Sequence, residues 1–176
     1  EFSPYTYQYN EQGKTPVPTK YMLKDNIVRF NVKDYDPSSV LIIDPNLAFC
    51  SFSGSSADNW GFTATYGPDG SMYGAGIVFG SGFPYSTGAF QTSYGSGSGD
   101  CFAGGFDIGI IKLTPDGTKR VYATYLGGSG NEMPQSLIVD KAGQLIVAGR
   151  TNSPASGNGA FPSNNKIGSG GSWDII

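Results

Sequence analysis

The sequence predicts an all-β protein of β-propeller-type blades, each a four-stranded antiparallel sheet, preceded by the end of a β-rich domain. Three observations predict this fold. Glycines and aromatic residues are both abundant, with 27 glycines and 14% aromatics among 176 residues, as is typical of antiparallel strands joined by tight turns. A pattern of glycines and apolar residues recurs about 73 positions later. The strands of the repeat are apolar on both faces.

The first elements along the chain are short strands and one hairpin. Residues 5–10, "YTYQYN", predict a strand after an irregular, proline-containing start. The turn signal at residues 24–26, "KDN", separates two apolar runs and predicts a hairpin. Alternation of apolar and polar residues over 28–32 predicts that its second strand is half-buried. Residues 40–44, "VLIID", predict a short buried strand that Pro45 stops.

The composition changes after this strand, where glycine, serine and aromatic residues take over. We therefore predict a domain boundary, with residues 1–45 forming the C-terminal part of a β-rich domain. Residues 46–176 are predicted to begin a β-propeller, with one complete blade and part of the next. A closed propeller needs about four to eight blades, so we expect the chain to be part of a longer protein whose remaining blades and domains are its partners.

The repeat itself predicts the strands of a blade. Several residues coincide when the chain is shifted by 73 positions: Gly54 with Gly127, Gly70 with Gly143, Ala75 with Ala148, and Gly76 with Gly149. The segment "TGAF" at 87–90 matches "NGAF" at 158–161 with an offset of 71, as expected if loops shorten while strands are kept. Pro-Asp-Gly turns at 67–70 and 114–117 are good hairpin turns. Together these features predict four antiparallel strands per repeat.

Apolar residues on both faces indicate that another element packs against each face of every sheet. In residues 120–126, "RVYATYL", Val121, Ala123 and Tyr125 point to one side, and the residues between them point to the other. A two-sheet sandwich leaves one polar face on each strand, whereas sheets stacked around an axis are buried on both faces. This pattern therefore favours a propeller.

The segment at 122–151, "YATYLGGSGNE…SLIVDKAGQLIVAGRT", resembles the SBBP-type β-propeller repeat, and residues 50–92 resemble a divergent first copy. Residues 21–45 resemble the end of the β-rich domain that often precedes such repeats. The combination is similar to large cell-surface proteins of gliding Bacteroidota, which carry a type IX secretion signal. The resemblance implies an extracellular protein, exported across the outer membrane and used in adhesion or gliding motility. It implies contact with secretion or motility machinery and no catalytic residues.

The function expected from these observations is a non-enzymatic scaffold or adhesin. Two alternatives are a glycan-binding module and part of a larger secreted polysaccharide-active enzyme. For an enzyme, Glu132 and Asp58 with Asp100 are the candidate carboxylates, but nothing in their spacing selects them over a solvated surface. Histidine is absent, which removes the commonest general base and metal ligand. The net charge of -3 without a basic cluster argues against nucleic acid. We predict no membrane-spanning segment, no cofactor and no metal site.

The candidate contact residues are aromatic. Tyr85 and Tyr94 lie in a long glycine- and serine-rich loop, and Trp60 follows the segment "SGSSADN" at 53–59. Such rings either stack on sugars or pack between blades. The same two interpretations apply to Tyr73 and Trp173.

Two further features are the cysteines and the turn aspartates. Cys50 and Cys101 are either unpaired thiols or one disulfide, the latter being plausible in an exported protein. Asp69, Asp116 and Asp140 lie in or beside tight turns, where turn capping is favoured over calcium binding.

Overall fold

The computed structural model describes residues 3–44, 49–95, 105–165 and 172–176, and these residues form only β-strands and loops. The chain divides into two compact units, Glu1–Ala48 and Phe49–Ile176. Within the described residues all sheets are antiparallel, and the strands are β1 Tyr5–Asn10, β2 Gly13–Pro16, β3 Thr19–Lys24, β4 Ile27–Val32, β5 Leu41–Asp44, β6 Asn59–Tyr66, β7 Met72–Val78, β8 Asp107–Leu113, β9 Arg120–Leu126, β10 Glu132–Val139, β11 Leu145–Thr151 and β12 Asp174–Ile175.

The first unit contains a three-stranded sheet in the order β2–β1–β5 and the hairpin β3–β4. The predicted hairpin is confirmed, with Asp25 and Asn26 at positive φ values of 53° and 60°. Two successive residues at positive φ form the tight turn whose twist matches that of paired strands. The strand predicted at residues 5–10 is also confirmed as β1.

The prediction that β4 is half-buried is wrong. Within the described part of this unit, β3 and β4 form a two-stranded ribbon with no third strand. Val28 and Phe30 are consequently 62% and 47% exposed. Alternation of apolar and polar residues reveals a face suited to burial, but a ribbon alone supplies nothing to cover that face.

The second unit begins with a four-stranded sheet in the order β6–β7–β8–β9, hereafter the first sheet. The four antiparallel strands predicted for one repeat are thereby confirmed. Gly70 and Gly117 end the two Pro-Asp-Gly turns at positive φ. Strands β10, β11 and β12 form the second sheet.

The two sheets repeat one another in register. Asn59 pairs with Val78 in the first sheet, and the positions 73 residues later, Glu132 and Thr151, pair in the second. A β-bulge lies between Gly61 and Thr63, and its counterpart occurs 73 residues later between Pro134 and Ser136. The repeat seen in the sequence is therefore a repeat of strand pairing, including its irregularity.

Both faces of the first sheet are packed, as the sequence predicts. On one face Tyr73, Ile108 and Ile110 pack with Leu137, which belongs to the second sheet. On the other face Ala123 and Tyr125 pack with Val78 and with two residues from loops, Phe83 and Tyr94. Among the strands of the first sheet, β10 contacts β6 most extensively, then β7, then β8. The second sheet therefore lies against one face of the first, and loop residues cover part of the other face.

Candidate functional site

The long loop after β7 forms a cleft of about 700 Å³ beside β9, hereafter the aromatic cleft. Two of the three aromatic residues singled out in the sequence, Tyr85 and Tyr94, line this cleft together. The Tyr85 side chain is 53% exposed. Tyr94 is half-buried, and its hydroxyl donates a hydrogen bond to the Gly105 carbonyl. The remaining lining residues are Ser81, Gly82, Phe83, Pro84, Thr92, Ser93 and Tyr125.

Tyr125 forms the rigid base of the aromatic cleft. Its side chain is 2% exposed, and its hydroxyl accepts hydrogen bonds from the backbone N–H groups of Gly82 and Phe83 at 3.0 and 2.9 Å. The same hydroxyl lies 3.3 Å from the Gly80 carbonyl, to which it donates. The rings of Phe83 and Tyr94 pack against the Tyr125 ring at centroid distances of 5.7 and 6.3 Å. One buried side chain on β9 therefore positions both arms of the loop.

Trp60 lies apart from this cleft. It lines a groove of about 230 Å³ on the first sheet, and its ring packs edge-to-face on Phe79 at 5.1 Å. Of the other aromatics, Tyr73 is buried within the core between the two sheets, and Trp173 stacks under the Arg150 guanidinium at 4.7 Å.

Cys50 is exposed and has no disulfide partner within the described residues. Cys101 lies outside the described residues, so its bond with Cys50 stays a prediction.

Two buried carboxylates meet where β8 and β10 begin, hereafter the carboxylate pair. Asp107 and Glu132 are both fully buried. Glu132 accepts hydrogen bonds from the hydroxyls of Thr151 and Ser153 and, at 3.2 Å, from the Gly128 N–H. Neither carboxylate forms an ion pair with any described lysine or arginine. Among the described residues, hydrogen bonds alone therefore offset the charge of these carboxylates.

Asp107 accepts fewer hydrogen bonds than Glu132. Its Oδ2 accepts a hydrogen bond from the Gly95 N–H at 2.7 Å, but its Oδ1 has no partner within the described residues. Burial, with a smaller contribution from the neighbouring Glu132, raises the pKa of Asp107 to about 7 against the opposing effect of the Gly95 hydrogen bond. Near neutral pH this carboxyl group accordingly gains a proton easily, which suits a buried oxygen that otherwise has no partner.

Burial and the two carboxylates also raise the pKa of the Tyr94 hydroxyl. The Gly95 N–H bond to Asp107 holds the end of the cleft loop. The carboxylate pair therefore helps to hold in place the end of the loop that forms the aromatic cleft. Because both carboxylates are fully buried, neither can contact a bound substrate in this arrangement.

The glycines of "LGGSGN" make this close packing possible. A Cβ atom on Gly127 would lie 2.5 Å from the Asp107 carboxyl carbon and 2.6 Å from Glu132 Oε2. A Cβ atom on Gly128 would lie 2.5 Å from Ser153 Oγ. Real Cβ atoms do not approach other atoms so closely. The glycine run is thus required by the buried carboxylates and hydroxyls beside it.

We expect Gly127→Ala to lower the free energy of unfolding by about 1–3 kcal/mol, because the added methyl group overpacks the carboxylate pair. Gly61→Ala is the matched control, since no atom lies within 4 Å of a Cβ atom built there. Urea denaturation of both variants measures the difference. Equal stability of the two variants would contradict the packing described for Gly127.

The turn aspartates act as caps, as the sequence predicts. Asp69 accepts hydrogen bonds from the N–H and hydroxyl of Ser71. Asp116 accepts bonds from Thr114 and Thr118. Asp140 accepts bonds from two N–H groups of its own turn. Within the described ranges no three acidic, histidine or cysteine residues cluster as metal ligands.

Comparison with known proteins adds one finding, which concerns the first unit. A family model described as a domain of unknown function (DUF7948) matches residues 1–46. No curated protein and no solved structure matches the chain. Among the described residues, no helix is long and apolar enough to cross a membrane.

Proposed function

We propose that the second unit is part of a β-propeller in which four-stranded sheets pack face to face around an axis. The observation that carries this proposal is an uncovered face on the second sheet. Tyr73 and Ile108 of the first sheet are 2% and 0% exposed because the second sheet covers them. Tyr73 corresponds to Ile146 at the offset of 73. Ile108 corresponds to Ile175, because Ile175 pairs with Arg150 as Ile108 pairs with Ile77. Ile146 and Ile175 are 53% and 91% exposed. A further sheet packed in the same way would bury them.

The opposite side of the two-sheet stack supports the same arrangement. Leu137 of the second sheet is buried against the first sheet. Its counterpart 73 residues earlier, Ala64, is exposed and lines the groove that also contains Trp60. One outer face of the stack therefore corresponds to the covered face of the first sheet. The other outer face corresponds to the face of the second sheet that covers it. An interface between unlike faces extends until it closes into a ring, or it continues as an open array.

The function that we propose for this module is a non-enzymatic scaffold or adhesin on the cell surface. The resemblance to SBBP-type repeats of large Bacteroidota surface proteins supports export across the outer membrane by type IX secretion, and a role in adhesion or gliding motility. Its partners would be further blades of its own chain and the secretion or motility machinery. Protease treatment of intact cells tests this location, since a surface protein is digested and an internal one is not.

The substitution Ile146→Asp in the natural, full-length protein tests the stacking of sheets. If another sheet covers this face, the substitution buries an unpaired carboxylate and lowers the free energy of unfolding by about 3 kcal/mol or more. Ile146→Leu is the control, because it keeps an apolar side chain of equal volume and is expected to lower it by less than about 1.5 kcal/mol. An effect of Ile146→Asp within about 0.5 kcal/mol, as is usual at exposed positions, would show that this face remains in solvent.

A further inference from the structure

The aromatic cleft has the dimensions and the fixed geometry of a ligand site. Its volume of about 700 Å³ lies within the range of small-molecule sites. Both arms of the loop are tied to β9. The N–H groups of Gly82 and Phe83 donate to the Tyr125 hydroxyl. The Gln91 N–H donates to the Thr124 hydroxyl, which in turn donates to the Gln91 carbonyl. A preformed cleft loses little conformational entropy when a ligand binds.

The tyrosines of the cleft are not explained by the repeated fold. With the offset of 71 that aligns "TGAF" with "NGAF", Gly88 corresponds to Gly159, and both have positive φ. At the same offset Tyr85 corresponds to Ser156, and Tyr94 corresponds to Asn165. The second repeat therefore keeps the loop conformation at the glycine and lacks both tyrosine rings. The Tyr85 ring is exposed within the cleft, where a ligand can reach it.

The polar groups in the cleft define the chemical class of the ligand. Ser81, Thr92 and Ser93 line it, and their hydroxyls have no hydrogen-bond partner in the described structure. All nine residues that line the cleft are uncharged. A cleft that offers aromatic rings and neutral hydroxyls, without a charged side chain, fits a ligand that is uncharged, rich in hydroxyl groups and apolar on one face. A pyranose ring has these three properties.

We propose that the aromatic cleft binds a neutral carbohydrate, with a sugar ring stacked on Tyr85 and its hydroxyls bonded to Ser81, Thr92 and Ser93. The half-buried Tyr94 forms the inner wall of the cleft and fixes the position of the bound sugar ring. This binding site goes beyond the scaffold function. It belongs to the first repeat alone.

Binding is tested on the full-length protein by saturation-transfer NMR and calorimetry with neutral oligosaccharides of glucose, mannose, galactose and N-acetylglucosamine. We expect at least one of these probes to bind, and Tyr85→Ala to weaken that binding about tenfold or more, as expected from the loss of about 1.4 kcal/mol of stacking. Tyr85→Phe keeps the ring and is expected to retain binding within about threefold. Tyr66→Ala is the matched control, because Tyr66 is exposed and lies outside the cleft.

Three results would overturn the proposal. The first is an absence of binding to every oligosaccharide by folded protein. The second is binding that Tyr85→Ala leaves unchanged, which would place the sugar elsewhere on the molecule. The third is binding of an unglycosylated peptide that depends on Tyr85 while no oligosaccharide competes, which would make the cleft a protein-recognition site.

Discussion

Replacing Tyr125 with alanine is expected to lower the free energy of unfolding of the second unit by about 3–5 kcal/mol. The substitution removes a ring that is 2% exposed and that packs against Phe83. It also leaves the N–H groups of Gly82 and Phe83 without their acceptor. Urea denaturation followed by tryptophan fluorescence measures the loss, since Trp60 and Trp173 both belong to this unit.

Two companion variants separate the contributions to this effect. Tyr125→Phe keeps the ring and removes only the hydroxyl, so a loss of about 1–3 kcal/mol is expected from the unsatisfied N–H groups. Phe52→Ala alters the position one repeat earlier, where the side chain is 97% exposed, and is expected to change stability by less than about 0.5 kcal/mol. If Tyr125→Ala is no more destabilising than Phe52→Ala, Tyr125 does not anchor the loop.

Replacing Asp107 with asparagine is expected to make the protein more stable at pH 8, by an amount on the order of 2–4 kcal/mol. In the parent protein the Asp107 carboxyl group is ionised at this pH, although it is buried beside Glu132 and its Oδ1 has no described partner. An amide has nearly the same shape and no charge, and it can donate a hydrogen bond where the carboxylate cannot.

The pH dependence of this effect has a defined sign. Burial raises the pKa of Asp107 in the folded state to about 7, well above its ordinary value of 3.8. Between these two values the folded state holds a proton that the unfolded state has released. The contribution of Asp107 to stability is therefore fully present below about pH 4 and is lost as the pH rises through about 7, with a slope of up to about 1.4 kcal/mol per pH unit.

Denaturation of the parent and the Asp107→Asn variant between pH 4 and pH 8 measures this slope. The variant is expected to lack the decline in stability that Asp107 causes in the parent. Asp69→Asn serves as a control of opposite sign, because hydrogen bonds from Ser71 and Lys112 lower the pKa of Asp69 to about 2. Its stabilising contribution is lost only as the pH falls below about 4, so Asp69→Asn is expected to leave the slope between pH 4 and pH 8 unchanged. Parallel profiles for the parent and Asp107→Asn would contradict the burial of an ionisable carboxyl group at this position.

Much of the strand pattern can be predicted from the sequence, because local chemistry determines it. Pro-Asp-Gly turns fix the hairpins, and the spacing of Gly76 and Gly149 fixes the register of the repeat. In the structure a Cβ atom on Gly76 would lie 2.0 Å from the Trp60 carbonyl oxygen, and one on Gly149 would lie 2.5 Å from that of Met133. Each glycine thus permits the same close approach of two strands at the same bulge.

The carboxylate pair could not be predicted in the same way. Asp107 and Glu132 are 25 positions apart in the chain, and acidic residues are usually solvated, so that neither attracts notice as a buried group. The match of "GGFDI" at 104–108 with "GSWDI" at 171–175 makes Asp107 and Asp174 equivalent, and an aspartate repeated in this way is expected to form a structural hydrogen bond. The bond that Asp107 accepts from Gly95 agrees with this expectation. The glycine run before Glu132 was the available signal, because successive glycines indicate close approach by other groups.

The positions of the aromatic residues in the fold depend on long-range contacts, which a local sequence pattern does not encode. The sequence singles out Tyr85, Tyr94 and Trp60 equally. The structure brings the two tyrosines into one cleft because the loop folds back on Tyr125, and it places Trp60 in a separate groove. The half-burial predicted for β4 was wrong for a related reason, since alternation of residues cannot show which element covers a face.

The measurement that tests the proposed propeller most directly is an experimental structure of the natural protein that contains this chain. We predict that a third four-stranded sheet covers Ile146 and Ile175, packed on the second sheet as the second sheet packs on the first. We also predict that another sheet of the same kind covers the groove beside Trp60. A structure in which both faces lie in solvent, or are covered by a domain of a different fold, would contradict the propeller.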